Sequence, residues 1–362
     1  MSRLSKRSFA IFVGFLAQPS IFLATTGIPL YLLIFPVIIR YSRLFVLVIV
    51  GAVTFMVLFY LTLISADLSA LRESLQLFVD ILGGYILYSY FKFKGVSYLN
   101  KTIEAFISFL FFLNFYLLFE FYTGARILLS LLEYVTFWET LPSIVPKMSY
   151  IWANPNSAGF SITLLMTFYS CTQKKLNTNT YAFATVLLAL ISSKSCFALY
   201  MSILIYTAIV RKLNLSIPFI ILLVISLIFF GFSLINLNLT GLYDSSSWVN
   251  RSIQLEIMFP LINFFPNGWP SEIVMMSIFD SSFEDTMAGI ILYLYIFGYI
   301  GLIPIILYLL IFIITRKKIP LVFICFLLLS LTISTLSVSG LVMISFFLII
   351  TINNLKNEEL YL

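Results

Sequence analysis

The sequence predicts an all-α, polytopic integral membrane protein with about 11–12 transmembrane helices and a large outer loop, on three observations. First, 61% of the 362 residues are hydrophobic and 10% charged, with a mean hydropathy of +1.08. Second, apolar runs of about twenty residues recur and are ended by charge, the length a helix needs to cross hydrocarbon. Third, these runs do not alternate in polarity, as the short strands of a membrane barrel would. Lipid offers no hydrogen-bond partner to backbone amides, so the spans are expected to be helical. Little chain is left for a separate soluble domain, and residues 1–362 read as one membrane domain.

The elements follow in order. A run at 8–24 comes after Arg3, Lys6 and Arg7, a charge pattern like that of a signal peptide. No small-x-small cleavage site follows it, so it reads as an uncleaved anchor. A second run at 27–39 is set off by Gln18-Pro19-Ser20 and Gly27-Ile28-Pro29. A tight hairpin or re-entrant segment here returns Arg40 and Arg43 to the inner side, whereas one tilted crossing puts them outside. Spans at 44–64, 74–91 and 104–122 lead to a first outer loop at 123–154. Spans at 156–172, 179–192, 196–210 and 215–236 lead to a second, large loop at 237–285, and spans at 286–314, 319–336 and 339–352 complete the chain.

With the hairpin in place, sixteen of the twenty-one basic residues fall on the face of the N-terminus, leaving Arg72, Arg126, Lys147, Lys194 and Arg251 opposite. The positive-inside rule then makes both termini cytoplasmic and turns both long loops outward. The +6 net charge follows from this topology and does not call for nucleic acid. Cys171, Cys196 and Cys325 lie in or beside apolar segments with no pairing pattern. The absence of histidine removes the commonest general base and transition-metal ligand.

Polar chemistry concentrates in the outer loops. Residues 237–285 hold six of the fifteen acids (Asp244, Glu256, Glu272, Asp280, Glu284 and Asp285) and one basic residue, Arg251. All four tryptophans, Trp138, Trp152, Trp248 and Trp269, lie in the two loops, fitting either an interfacial belt or stacking on sugar rings. Five cations on a mostly acidic face suit an anionic ligand, and a guanidinium fork suits phosphate. Local explanations compete: Arg251 with Glu256, Arg72 with Glu73, and snorkelling for Lys194. Asn154-Pro155-Asn156 opens an apolar helix, with Asn154 as N-cap and proline in the first turn. That helix aims its free amides at the outer leaflet, an anion site in which Asn154 and Asn156 sit. Asp285 and Glu284 precede a span, where carboxylates serve as a general base, as ligands of a divalent cation, or as acids favoured at a helix start. Asp80 is nearly alone at membrane depth.

Taken in order, these pieces resemble the O-antigen polymerase and ligase superfamily, in particular its Wzy-type repeat-unit polymerases. The matching residues are Asn-Pro-Asn-Ser-Ala-Gly at 154–159, Ser-Lys-Ser at 193–195, Arg251 early in the large loop, and Phe-Pro-Asn-Gly-Trp at 265–269. Acids at 284–285 then run into a span containing Phe-Gly-Tyr-Ile-Gly at 297–301. The likeness covers roughly 150–312. It departs in lacking the histidine of the ligases, which favours a polymerase, and in reducing a Gly-x-Gly near 268 to one glycine.

The resemblance implies a GT-C-like membrane fold in a bacterial cytoplasmic membrane. It implies an inverting glycosyltransferase, without metal or other cofactor, that joins undecaprenyl-diphosphate-linked oligosaccharides on the outer face. Arg251 and Lys194, with Arg72 or Arg126, would hold the diphosphate. Asp285 or Glu284 would be the base, and Trp248 and Trp269 would contact sugars. A chain-length regulator protein is the expected protein partner. A lipid-linked sugar flippase is the rival reading, and would show broken midplane helices and buried charge.

Overall fold

A computed structural model describes residues 8–13, 31–65, 68–125, 137–138, 147–148, 155–172, 177–191, 193–211, 224, 256–270, 289–314 and 321–330. These residues are helical save for loops and one pair of two-residue strands. Where the sequence reads as one domain, the chain sorts into two compact units. One comprises Met1–Ile38 and Tyr90–Tyr243, the other Ile39–Ser89 and Asp244–Leu362. Two helices are long and apolar enough to cross a membrane among the described residues, or three if one bent pair counts as a single span. The chain is therefore a helical membrane protein.

In order, the helices are α1 (Tyr31–Ile38), α2 (Leu44–Ser65), α3 (Leu68–Lys94), α4 (Val96–Thr123), α5 (Pro155–Thr172), α6 (Thr178–Ile191) and α7 (Lys194–Arg211). After these come α8 (Gly289–Phe297), α9 (Leu302–Ile314) and α10 (Leu321–Ser330). Residues 8–13 are helical as well. The expected spans at 215–236, apart from Val224, and at 339–352 lie outside the described residues, as does most of the expected span at 8–24.

Two expectations need correction. The expected spans at 74–91 and 104–122 begin earlier, at Leu68 and Val96, and only Gly95 separates the two helices. Their polar first turns hid these starts from a reading based on hydropathy. Within the expected first outer loop, strands β1 (Phe137–Trp138) and β2 (Lys147–Met148) pair antiparallel, with β2 against α6. The expected single span at 286–314 is broken: Ile290–Phe297 and Tyr299–Leu310 meet at 116°, with a 3-10 turn at Tyr299–Gly301.

The first unit is a bundle in which α4, α5, α6 and α7 pack on one another. Its centre is aromatic, with Phe106, Phe160, Phe168, Tyr169, Tyr181, Phe197 and Tyr200 fully buried. Hydroxyls tie the helices across this core. Tyr169 donates to Glu104 Oε1 at 2.6 Å, and Thr172 to Asn100 Oδ1 at 2.8 Å. Ser170 and Tyr181 bond at 2.7 Å, and Tyr200 donates to the Tyr181 carbonyl at 2.9 Å. Each such bond between membrane helices contributes about 0.6 kcal/mol on average, so the set fixes register more than it holds the bundle together. Asp80 is fully buried, and it is not the only acid inside a helix. Glu104 lies eight residues inside α4, and Glu120 is 1% exposed near its end. Both sit at the flanks of the run expected at 104–122, where they read as its boundaries.

In the second unit α2 is apolar along its length, and most of its side chains face outward: Phe45 is 76% exposed and Met56 69%. A helix apolar all round suits lipid contact. Leu58, Leu61, Leu77 and Ile296 form the core of this unit, with Trp269 and Phe297 packed on it.

Candidate functional site

Two segments singled out in the sequence, 37 residues apart, meet in the first unit. Helix α5 starts at Pro155, whose fixed φ and missing N–H suit a first helical position. Helix α7 starts at Lys194, immediately after Ser193, whose carbonyl accepts from the Phe197 amide at 2.9 Å. The two first turns touch. Ser193 donates its hydroxyl to Asn156 Oδ1 at 3.0 Å, and Thr163 donates to the Cys196 carbonyl at 3.4 Å.

Gly159 makes this approach possible. A Cβ there would stand 3.0 Å from Cys196 Sγ and 3.3 Å from Ser193 Cβ. Gly159→Val is therefore expected to push α5 and α7 apart and to destabilise the chain by about 1–3 kcal/mol, the usual effect of overpacking. Thermal unfolding of the purified variant in detergent measures it, and an unchanged midpoint would show that the two starts are not held this closely.

The first-turn amides of both helices have no acceptor within their own helix, and each helix carries a positive partial charge at this end. Neither first turn contains an acid to neutralise it. Lys194 adds a full positive charge where the helix dipole disfavours one by about 0.3–1 kcal/mol. Asn156 and Ser195 are half-buried beside the fully buried Ala158 and Cys196. Helix starts without acids favour anions in general.

A second constellation lies in the other unit, where part of the large loop docks. Gly268 takes φ of +77°, and a Cβ on it would fall 2.4 Å from Ser65 Oγ and 3.0 Å from the Leu61 carbonyl. The Trp269 amide donates to Ser65 Oγ at 2.6 Å, and its indole N–H to Ser74 Oγ at 2.7 Å. Ser74 in turn bonds the Thr62 hydroxyl at 2.8 Å. On its other side the segment meets the helix break. The Tyr299 amide donates to the Asn263 carbonyl at 3.0 Å, the Ile300 amide to Phe264 at 3.2 Å, and the Gly268 amide to Ile296 at 3.2 Å. Asn263 and Asn267 bond side chain to side chain at 2.6 Å, and Asn267 also donates to the Leu261 carbonyl at 2.9 Å. Backbone groups freed by the break in an apolar helix are thus satisfied by the loop.

Of the expected site residues, Asn156 and Lys194 belong to the paired helix starts. Arg72 lies near the start of α3, in the other unit. Trp269, expected to contact sugar, is first an anchor: Ser74 takes its indole N–H and the core takes part of its ring. Asn154, Arg126, Trp248, Arg251, Glu284 and Asp285 lie outside the described residues. Sequence reading missed Thr62, Ser65 and Ser74. Hydroxyls in the last turn of one apolar helix and the early turns of the next were the available signal. Comparison with protein-family models, with curated proteins and with solved structures finds no match to this chain.

Proposed function

We propose that this chain is a Wzy-type polymerase of lipid-linked oligosaccharides, a polytopic GT-C-like glycosyltransferase of about 11–12 spans in a bacterial cytoplasmic membrane. The observation that supports this reading best is the meeting of the 154–159 and 193–195 segments at two un-neutralised helix starts, one of them led by Lys194. A diphosphate on a lipid carrier is an anion that reaches such a site from the bilayer. In the reaction, a sugar hydroxyl of one lipid-linked unit attacks the anomeric carbon of the growing chain. The bond from that carbon to the diphosphate oxygen breaks, undecaprenyl diphosphate leaves, and the hydroxyl proton passes to Asp285 or Glu284. Cations matter most as charge develops on the leaving oxygen. Arg251 and Lys194, with Arg72 or Arg126, hold the diphosphate. Trp248 and the free face of Trp269 contact sugars, and a chain-length regulator is the protein partner.

Lys194→Ala is expected to cut polymer at least tenfold at unchanged protein level, with Lys194→Arg retaining more than a third. Surface polysaccharide from cells whose only copy is the variant reads this out. Normal polymer from the alanine variant would remove Lys194 from the site.

A flippase is the second reading, and two observations favour it: the helix broken at 116°, and the buried carboxylates of Asp80 and Glu120. The side of the membrane on which single units accumulate in a loss-of-function strain separates the two. The outer side fits a polymerase, the inner side a flippase.

A further inference from the structure

Residues 256–265 expose an unusual amount of apolar surface for a loop. Ile257, Phe259, Leu261, Phe264 and Phe265 are all exposed, the last two at 63% and 66%, and their rings stack edge to face at 5.4 Å. Met258 and Ile262 turn the other way and are buried, so the stretch has an inner and an outer face. The only charge is Glu256, at its start. Five large apolar side chains within nine residues are not what a water-facing loop presents.

Hydrogen bonds fix which helix segments the stretch lies against. Its carbonyls at Asn263 and Phe264 reach the amides of Tyr299 and Ile300, and the Gly268 amide reaches Ile296. Ile296 is seven residues into α8, about 10 Å along the helix from its start. On the opposite flank the docking surface is the last turn of α2, from Leu61 to Ser65, in a helix long and apolar enough to cross the membrane. The next helix, α9, exposes a continuous apolar stripe of Ile303, Ile306, Leu307 and Leu310. Around the end of a membrane-spanning helix the surroundings are the boundary between headgroups and acyl chains, where apolar side chains bury by about 5–10 Å. Irregular backbone is tolerated there only if its polar groups are satisfied. Here Phe259, Leu261, Asn263 and Phe264 use their carbonyls, and Pro266 has no N–H to satisfy.

We infer that residues 256–265 form a lipid-inserted element, with Phe259, Leu261, Phe264 and Phe265 seated in the leaflet around the C-terminal end of α2. The large loop is then pinned to the bilayer at its midpoint. This holds whether the chain is a polymerase or a flippase.

Site-directed spin labelling of the full chain in lipid nanodiscs tests it. Single cysteines replace Glu256, Phe264 and Phe265 in turn, and the buried native cysteines stay in place, with the unsubstituted chain as background. Labels at 264 and 265 are expected to relax several-fold more with oxygen than with a water-soluble nickel chelate, and the label at 256 to show the reverse. Equal chelate access at all three positions would overturn the inference in favour of a water-exposed loop. Exclusion of both reagents from 264 and 265 would overturn it in favour of a protein cover. Quenching of a fluorophore on the same cysteines by brominated lipid gives an independent reading.

Discussion

Gly298→Ala is expected to lower the stability of the purified chain more than any other single-methyl addition considered, by on the order of 3 kcal/mol. Gly298 adopts φ of 66° and ψ of −174°, a region that is in practice reserved for glycine. It also has no room. A Cβ would stand 2.5 Å from the Phe265 carbonyl oxygen, 2.6 Å from its carbon and 2.7 Å from the Phe264 oxygen. These are backbone atoms of a segment bonded to α2 on its other side, so none of them yields as the end of a flexible side chain would. The variant must either straighten the break or release the loop, and either event leaves the Tyr299 and Ile300 amides without acceptors. Gly51→Ala is the control, because its Cβ would meet only Leu82 Cδ2, at 3.8 Å. Thermal unfolding in detergent is expected to separate the two variants clearly. Coincident midpoints would mean that the break and the loop do not depend on one another.

Arg251→Ala is expected to abolish polymer while leaving single-repeat lipid-linked units on the outer face. Under the polymerase reading, its guanidinium gives two parallel hydrogen bonds to the diphosphate, and these strengthen as the leaving oxygen gains charge. Loss of one such donor typically lowers a rate by about 10²–10³. Arg251→Lys keeps the charge but loses the planar fork, so short oligomers are expected. Gel separation of surface polysaccharide, with the variant's level checked, measures both. Long chains at normal yield from the alanine variant would exclude Arg251 from the diphosphate.

The transmembrane character of the chain was legible because the dominant signal is local. The run at Leu44–Ser65 declares its helix by uniform hydropathy, and the expected limits of 44–64 miss its end by one residue. The starts of α5 and α7 were also legible, through Asn-Pro-Asn and Ser-Lys-Ser. That they touch was not, because the bond from Ser193 to Asn156 depends on how α5, α6 and α7 pack. The break at Gly298 was hidden for a related reason. Residues 286–314 are apolar throughout, and the groups that make a bend affordable, the Asn263 and Phe264 carbonyls, lie some thirty-five residues upstream. Gly298 and Gly301 inside the run were the one local hint. The anchoring of Trp269 was not legible either, because the hydroxyls that hold it, Ser65 and Ser74, lie about two hundred residues away in sequence.

The proposed function is tested most directly by giving the purified full chain a lipid-linked repeat unit in proteoliposomes, with no nucleotide sugar present. Polymerisation predicts a ladder of longer lipid-linked chains and one undecaprenyl diphosphate released for each new linkage. Single units that cross the bilayer without any chain growth would contradict it and establish transport instead.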